Sequence, residues 1–135
     1  MRKSSISVHT ELKIECAVNP SESPEKVISA INNIFGDCSP EFKHGSLIVA
    51  SCFALRCLRI IYDQIRSRAA MGVLRRMLTD NRISNTTWFL LNKQAAAAGI
   101  VVVIEDESES PLGPIRVKVV SDELDKIIEW LAPLE

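Results

Sequence analysis

A long helix-compatible stretch without proline occupies residues 54–81. In its first half, apolar residues recur at three- and four-residue steps and form one helical stripe: Leu55, Leu58, Ile61, Tyr62, Ile65 and Ala69. A second apolar stripe lies roughly half a turn away on the same helix and contains Met71, Leu74 and Leu78. Gly72 sits at the change of phase. The sequence therefore predicts either one long helix that buries different faces at its two ends, or a helix broken near Gly72.

Alternating apolar and polar residues predict a sheet beside this helix. Residues 6–18 alternate throughout, which is typical of a strand with one buried and one exposed face. Apolar runs predict further strands at residues 45–50, 86–92, 100–104 and 115–119. Two more helices are expected, one capped by Ser23 and ended by a left-handed Gly36, the other capped by Ser121. Residues 37–44 are predicted to be a polar loop, and residues 93–98 a tight connector closed by Gly99.

This order of elements predicts an α+β fold in two layers. We expect one mixed or antiparallel sheet of about five strands, with helices, including the long central helix, packed on one face. The length of 135 residues suits a single domain spanning residues 1–135. An apolar fraction of 47% and a charged fraction of 24% are typical of globular proteins and exclude a disordered chain.

The N-terminus lacks the apolar run of a signal peptide, and no segment approaches the uncharged length of a membrane span. These features predict a cytoplasmic protein that does not contact membranes. The formal net charge is −1, so no global field draws the chain to nucleic acid. Charge is nevertheless uneven: residues 56–82 hold seven arginines and two acids, and residues 105–135 hold nine acids and three basic residues. We expect these regions to attract each other, within one fold or between two copies.

The cysteines and histidines do not form a recognisable metal site. Six residues could bind zinc in principle: His9, Cys16, Cys38, His44, Cys52 and Cys57. Their spacing matches no structural zinc pattern, and the cysteines are too sparse for a disulfide scaffold. Buried, inert thiols are therefore the favoured interpretation, and we predict no metal and no cofactor.

Signatures of catalysis are missing as well. The five glycines are scattered and form no phosphate-binding loop, and no serine or cysteine lies in a nucleophile motif. His9 and Glu11 are interpreted as surface residues, and the acidic residues at 105–109 lack the spacing of a calcium loop. We predict no catalytic residue, no small-molecule substrate and no enzyme activity.

Nucleic-acid binding has more support, because arginines crowd the predicted helix. One face carries Arg56, Arg59 and Arg66, and the part that follows carries Arg68, Arg75 and Arg76. Arginine suits phosphate because its guanidinium donates two parallel hydrogen bonds. Asp63 lies one helical turn from Arg59 and from Arg66, so ion pairs within the helix are the alternative.

Lys93 and Gln94 are the other candidates for RNA contact. They lie between large apolar residues at 88–91 and four alanines at 95–98, where an unpaired charge would be costly to bury. In one alternative, Lys93 extends to the surface and Gln94 bonds the turn at Gly113. In the other, both side chains project into a shallow site that holds a phosphate of RNA.

Four segments, at residues 19–27, 91–96, 110–115 and 130–133, are similar in order and spacing to family 0201 of archaeal proteins of unknown function. The specific parts are Asn-Lys-Gln-Ala-Ala at 92–96 and Pro-Leu-Gly-Pro-Ile at 111–115. The resemblance implies a compact α+β fold like that of the fifth protein of the large ribosomal subunit, and an RNA-related role. It assigns no catalytic residues. The chain departs from the family's acidic-Thr-Ala-Arg run at residues 67–70, which read Ser-Arg-Ala-Ala.

Together these observations lead to one principal hypothesis and one alternative. The principal hypothesis is a non-catalytic domain that binds structured RNA through its phosphates. The alternative is a protein–protein adaptor or a self-associating subunit whose arginines meet an acidic partner. We also predict a homodimer, because the stripe of Met71, Leu74 and Leu78 faces away from the first stripe and would need a second chain to cover it.

Overall fold

A computed structural model of the protein describes residues 8–36 and 38–134. The described chain contains six strands: β1 (Glu11–Ala17), β2 (Glu41–Lys43), β3 (Leu47–Cys52), β4 (Thr86–Leu91), β5 (Val103–Ile104) and β6 (Ile115–Val120). It contains five α-helices: α1 (Pro24–Ile34), α2 (Arg59–Ser67), α3 (Met71–Asp80), α4 (Lys93–Ala97) and α5 (Leu124–Leu131). None of the helices described is long and apolar enough to cross a membrane.

The strands form one sheet in the order β2-β3-β1-β6-β4-β5, and every neighbouring pair is antiparallel. The predicted α+β class is confirmed, but the sheet has six strands rather than about five. The additional strand, β2, lies in the segment predicted to be a polar loop. Its three residues are all exposed, so no apolar alternation marked it, and it is held by pairing with β3 across a turn at His44 and Gly45.

One face of the sheet carries the main core. In β1, Leu12, Ile14 and Cys16 are buried beneath the helices, whereas Glu11 and Lys13 are exposed on the opposite face. The predicted alternation is confirmed over β1. The predicted residues 6 and 7 lie outside the described chain, and residues 8–10 are not in the strand. Strand β5 is shorter than predicted, with two residues.

The long helical stretch is broken near Gly72, as one of the two alternatives predicted. After a 3-10 turn at Leu55–Leu58, α2 runs to Ser67, and the chain reverses phase at Ala69, whose φ of 55° is left-handed. The Ala70 N–H donates to Ile65 O at 3.0 Å and the Ala69 N–H to Arg66 O at 3.3 Å, the hydrogen bonds of a Schellman motif. Gly72 lies inside α3 with open space around it. The break therefore falls at an alanine, where glycine would be the usual residue.

The second apolar stripe does not need another chain. Leu74 and Leu78 are 0% and 1% exposed, because α3 packs on β4 and α5 of the same molecule. The reasoning from this stripe to a homodimer was therefore wrong. A homodimer stays a prediction without support from these residues.

Two further local predictions were wrong. Residues 93–97 form the short helix α4 rather than an irregular connector, because the Asn92 side chain accepts a hydrogen bond from Ala95 N at 2.8 Å and caps it. The connector does close at Gly99, whose φ is 78°. Helix α1 ends at Ile34 with Phe35 in an extended conformation, so Gly36 is not a left-handed terminator.

Candidate nucleic-acid interface

The arginines of α3 and the turn that follows it are paired with acids from the C-terminal third. Arg75 Nη1 lies 3.4 Å from Glu129 Oε1 and donates to Ala132 O at 2.9 Å. Arg76 pairs with Glu105, and Arg82 with Asp125. The predicted attraction between the basic and acidic regions is confirmed as a contact within one fold. Arg75 and Arg76 are thus neutralised locally, although the Arg76 side chain is still 55% exposed.

Arg66, in α2, has a structural role because its side chain binds the C-terminal end of α5. Its Nη2 donates to Trp130 O at 2.8 Å and its Nη1 to Leu131 O at 3.2 Å, so it satisfies carbonyls that the helix leaves free. Its guanidinium carbon lies 3.5 Å from the centroid of the Tyr62 ring, which stacks on Trp130. Burying this fork between α2 and α5 leaves little of it for a phosphate.

The other arginines of the predicted set remain on the surface. Arg59 Nε lies 3.4 Å from Asp63 Oδ2, the predicted ion pair within the helix, and both side chains are more than half exposed. Arg68 follows α2 and is exposed, and its side chain has no hydrogen bond or ion pair with any described residue. Arg56 is exposed in the 3-10 turn before α2. The structure therefore divides the predicted set into exposed arginines and arginines held by the fold.

Lys93 is buried, with 4% of its surface exposed. Its Nζ donates to Ala17 O at 2.8 Å and to Leu112 O at 2.7 Å, and it contacts the Glu22 carboxylate at 2.9 and 3.1 Å. The three ammonium protons are thereby used. One alternative predicted that Lys93 extends to the surface, and it does not. The other required an ammonium proton for a phosphate, and none is left.

Glu22 completes this buried pair. Its Oε1 accepts hydrogen bonds from Asn19 N at 2.9 Å and Asn19 Nδ2 at 3.0 Å, in addition to Lys93. Burial opposes ionisation of Glu22, but the hydrogen bonds from Asn19 and Lys93 outweigh it and hold the pKa of the carboxyl below its usual value. The Glu22–Lys93 pair therefore joins the segment after β1, the start of α4 and the turn before β6.

Cys16 lies close to the Glu22–Lys93 pair. Burial raises the pKa of its thiol to about 11; Lys93 lowers that pKa and Glu22 raises it. The thiol is therefore protonated at neutral pH, which suits an unreactive core residue.

Gln94 contacts the turn before β6, as one alternative predicted. Its Oε1 lies 3.3 Å from Ser110 Oγ, and Ser110 Oγ donates to Gly113 O at 2.8 Å. The amide nitrogen of Gln94 has no hydrogen-bond partner among residues 8–36 and 38–134.

A pocket of about 330 Å³ opens between α1 and α4. Its walls are aliphatic, from Val27, Ala30, Ala97 and Leu112. Polar side chains also line it: Ser21, Glu22, Ser23, Lys26, Lys93 and Gln94. We call this cavity the α1–α4 pocket. The sequence placed Lys93 and Gln94 near a shallow site, but Glu22 and Lys26 were missed because nothing in the sequence indicates that α1 packs on α4.

The exposed face of the sheet carries a second group of cations. Lys13 lies opposite Lys118, and Lys118 lies opposite Trp88, on adjacent strands. The Arg116 guanidinium carbon is 4.7 Å from the Trp88 ring centroid, and Arg116 Nη2 is 2.5 Å from Glu107 Oε2. Sequence reasoning missed this group, although the outward positions of the alternating strands were a usable signal.

The cysteines depart from the expectation of inert thiols. Cys52 at the end of β3 and Cys57 in the 3-10 turn before α2 are joined by a disulfide. Cys16 is a free buried thiol. Within the described parts of the chain, no three His, Cys, Asp or Glu side chains are grouped to hold a metal ion.

The chain is similar to a family model, to archaeal proteins and to a solved structure. A family model described as RNA binding matches residues 11–121. A UPF0201 protein of Sulfurisphaera tokodaii is 39% identical over 127 residues, which cover 92% of this chain and 88% of that protein. A UPF0201 protein of Methanothermobacter thermautotrophicus is 38% identical over 125 residues, 91% of each chain. The crystal structure of a UPF0201 protein from Methanococcus jannaschii superposes with a TM-score of 0.78 at 30% identity, covering 93% of this chain and 94% of that one.

Proposed function

Because the chain belongs to the UPF0201 family, we propose that it is a non-catalytic domain that binds RNA through the phosphate backbone. The observation that carries the proposal is the match over residues 11–121 to the family model described as RNA binding. The similarity to the fifth protein of the large ribosomal subunit stays a prediction, since the matched Methanococcus jannaschii structure belongs to the same family as this chain.

The proposed phosphate contacts are the exposed cations of the helix layer. Arg68 has no acidic partner among the described residues. The Arg59–Asp63 and Arg76–Glu105 pairs lie between side chains that are about half exposed. Such pairs contribute little to stability, so a phosphate can replace the carboxylate at small cost. Arg56 and Arg75 are proposed as secondary contacts.

Two of the predicted contacts are set aside, because the fold uses them. Lys93 has no free proton, and Arg66 is held between the Tyr62 ring and the carbonyls at the end of α5. The sheet face is a weaker candidate, since Arg116 is paired with Glu107, and Lys13 lies 3.9 Å from Glu15. Lys118 on that face serves as a matched control for charge removal.

The test is salt-dependent binding to a pool of transfer RNA. Each phosphate contact contributes about 0.7 to 0.9 to the slope of log affinity against log salt. The double substitution Arg59→Gln with Arg68→Gln should weaken binding and flatten that slope by about 1.5. Lys118→Gln should leave affinity and slope unchanged.

Two outcomes would contradict the proposal. Wild-type protein that binds no transfer RNA at low salt, and recovers no RNA from extract, does not have the proposed function. A loss of binding with Lys118→Gln but not with the arginine substitutions would move the contact to the sheet face.

Exposed apolar residues favour the adaptor as a second candidate. Phe53 is 66% exposed and Ile83 is 78% exposed, and large apolar side chains of this kind contribute to contact surfaces where they form a patch. An acidic protein partner, like a phosphate, would have to replace the acids of the same chain that Arg75, Arg76 and Arg82 meet. Recovery of the tagged protein from extract with and without nuclease separates the two functions, because a protein partner resists nuclease and bridging RNA does not.

A further inference from the structure

We propose that the α1–α4 pocket holds one unpaired ribonucleotide, with its base against the aliphatic walls, its ribose hydroxyl on Glu22 and its phosphate on Lys26. The inference rests on the proposed function for its RNA source, but free nucleotides test the pocket independently. Such a site would distinguish ribose from deoxyribose, whereas the exposed arginines would contact only the phosphate charge of the backbone.

The size and walls of the pocket suit a nucleobase. Its volume of about 330 Å³ is in the range of small-molecule sites. Val27 and Ala30 from α1 lie across from Ala97 of α4, so two aliphatic surfaces face the opening. A base that is unpaired in RNA exposes two flat, weakly polar faces, and these gain from contact with such surfaces.

Glu22 provides a fixed acceptor. The buried pair holds the carboxylate in place, and its Oε1 is filled by Asn19 and Lys93. Its Oε2 has one contact, with Lys93 Nζ at 3.1 Å, and so retains a lone pair. A ribose 2′-hydroxyl is a donor of the right kind, and a carboxylate that accepts from it is a recurrent means of recognising ribose.

Lys26 and Gln94 provide donors at the rim. Within the part of the chain that the structure describes, neither the Lys26 ammonium nor the Gln94 amide nitrogen has a hydrogen-bond or ion-pair partner. Lys26 lies in the first turn of α1, where the helix dipole also favours an anion. The phosphate is therefore assigned to Lys26, and an acceptor on the edge of the base to Gln94.

The experiment is titration of the full chain with 5′-mononucleotides, followed by amide NMR. AMP, GMP, CMP and UMP are each compared with the 2′-deoxy form. We expect shifts at residues 21–30 and 93–97, and an affinity for at least one ribonucleotide about tenfold higher than for its deoxy form, because a hydrogen bond to a charged group is worth that factor.

A matched pair of variants separates the pocket from the fold. Ala97→Leu fills the pocket without touching the Glu22–Lys93 pair, and should reduce nucleotide affinity about tenfold or more. Ala98→Leu adds the same side chain to the neighbouring exposed residue outside the pocket lining, and should leave affinity unchanged. Lys26→Gln should weaken binding of nucleotides but not of nucleosides.

The outcomes distinguish the two proposals. If no mononucleotide shifts resonances around the pocket, or if ribose and deoxyribose forms bind equally, the pocket inference is overturned even where transfer RNA still binds. If the Ala97→Leu variant binds mononucleotides as tightly as the Ala98→Leu variant, the pocket inference is also overturned. If nucleotides bind in the pocket but no RNA binds with salt dependence, the pocket inference stands and the proposed function fails.

Discussion

The Glu22–Lys93 pair and the arginine pairs of α3 differ mainly in their exposure to water. The side chains of Lys93 and Glu22 are 5% and 12% exposed, whereas those of Arg76 and Glu105 are 55% and 49% exposed. Both regions supplied candidate RNA contacts from the sequence. The difference shows that a basic residue in a suitable pattern is available to a ligand only if the fold has not already used its protons.

The two kinds of pair should also differ in energy. Removing one partner of a buried pair leaves an uncompensated charge, which costs about 3 to 5 kcal/mol. Exposed pairs contribute about 0.2 to 1 kcal/mol, because water and salt screen them. The Glu22–Lys93 pair is therefore costly to break at one partner, whereas the exposed pairs can exchange partners at little cost.

The largest expected effect is that of Lys93→Ala. It leaves the largely enclosed Glu22 carboxylate, whose side chain is 12% exposed, with only Asn19 as donor, and leaves Ala17 O and Leu112 O without this donor. We expect the free energy of unfolding to fall by about 3 kcal/mol, measured by denaturant unfolding. In a double-mutant cycle with Glu22→Ala, the second substitution should cost much less than it does alone. Additive losses would mean that the two residues do not act as a pair.

Glu22→Gln should have a smaller, pH-dependent effect. The pKa of Glu22 is lowered from 4.5 in the folded protein, so its ionisation adds stability that is fully present above that value. The stability is lost as pH falls through the lower folded pKa. At neutral pH we expect a loss of about 2 kcal/mol. The gap between wild type and variant should narrow in unfolding curves taken at progressively lower pH below 4.5; a constant gap would contradict the assignment.

Arg66 tests an intermediate case, since it is partly buried. Arg66→Ala removes donors from Trp130 O and Leu131 O and the contact with the Tyr62 ring. We expect a loss of about 1.5 kcal/mol, and Arg66→Lys should recover less than half, because an ammonium lacks the planar fork. Thermal unfolding of the three proteins measures this. Full recovery by lysine would show that charge alone matters there.

The smallest effect is expected at Arg76. Arg76→Gln should change the free energy of unfolding by less than about 0.5 kcal/mol, and less still at high salt. The same denaturant series used for Lys93→Ala provides the comparison. A loss as large as that of Lys93→Ala would remove the distinction between the two regions.

Local patterns in the sequence predicted much of the fold. Apolar residues recur every two residues in β1 and β6, and every three or four residues in α2. Each of these patterns was sufficient to assign a strand or a helix. The break near Gly72 was predicted, but the sequence did not indicate that Ala69 is its left-handed residue, because that conformation is usually found at glycine. Strand β2 was missed because pairing with β3, not apolar content, holds it.

The candidate site was less predictable for a different reason. Lys93 and Glu22 are 71 residues apart, and Arg66 and Trp130 are 64 residues apart, so neither contact leaves a local pattern in the sequence. The sequence could show that these cations need partners once buried. Only the packing of α1 on α4, and of α2 on α5, shows which partners they have.

The strand order bears on how the chain reaches this state. Strand β1 lies inside the sheet, and its neighbour β6 is the last strand of the described residues; Glu11 pairs opposite Val120. During synthesis β1 can pair with β3 before β6 is made, but its other edge must wait until residues 115–120 leave the ribosome. Pairings this distant along the chain slow folding. Until β6 is available, the unpaired edge of β1 is open to strands of other chains, so the nascent protein is exposed to misassembly during that interval.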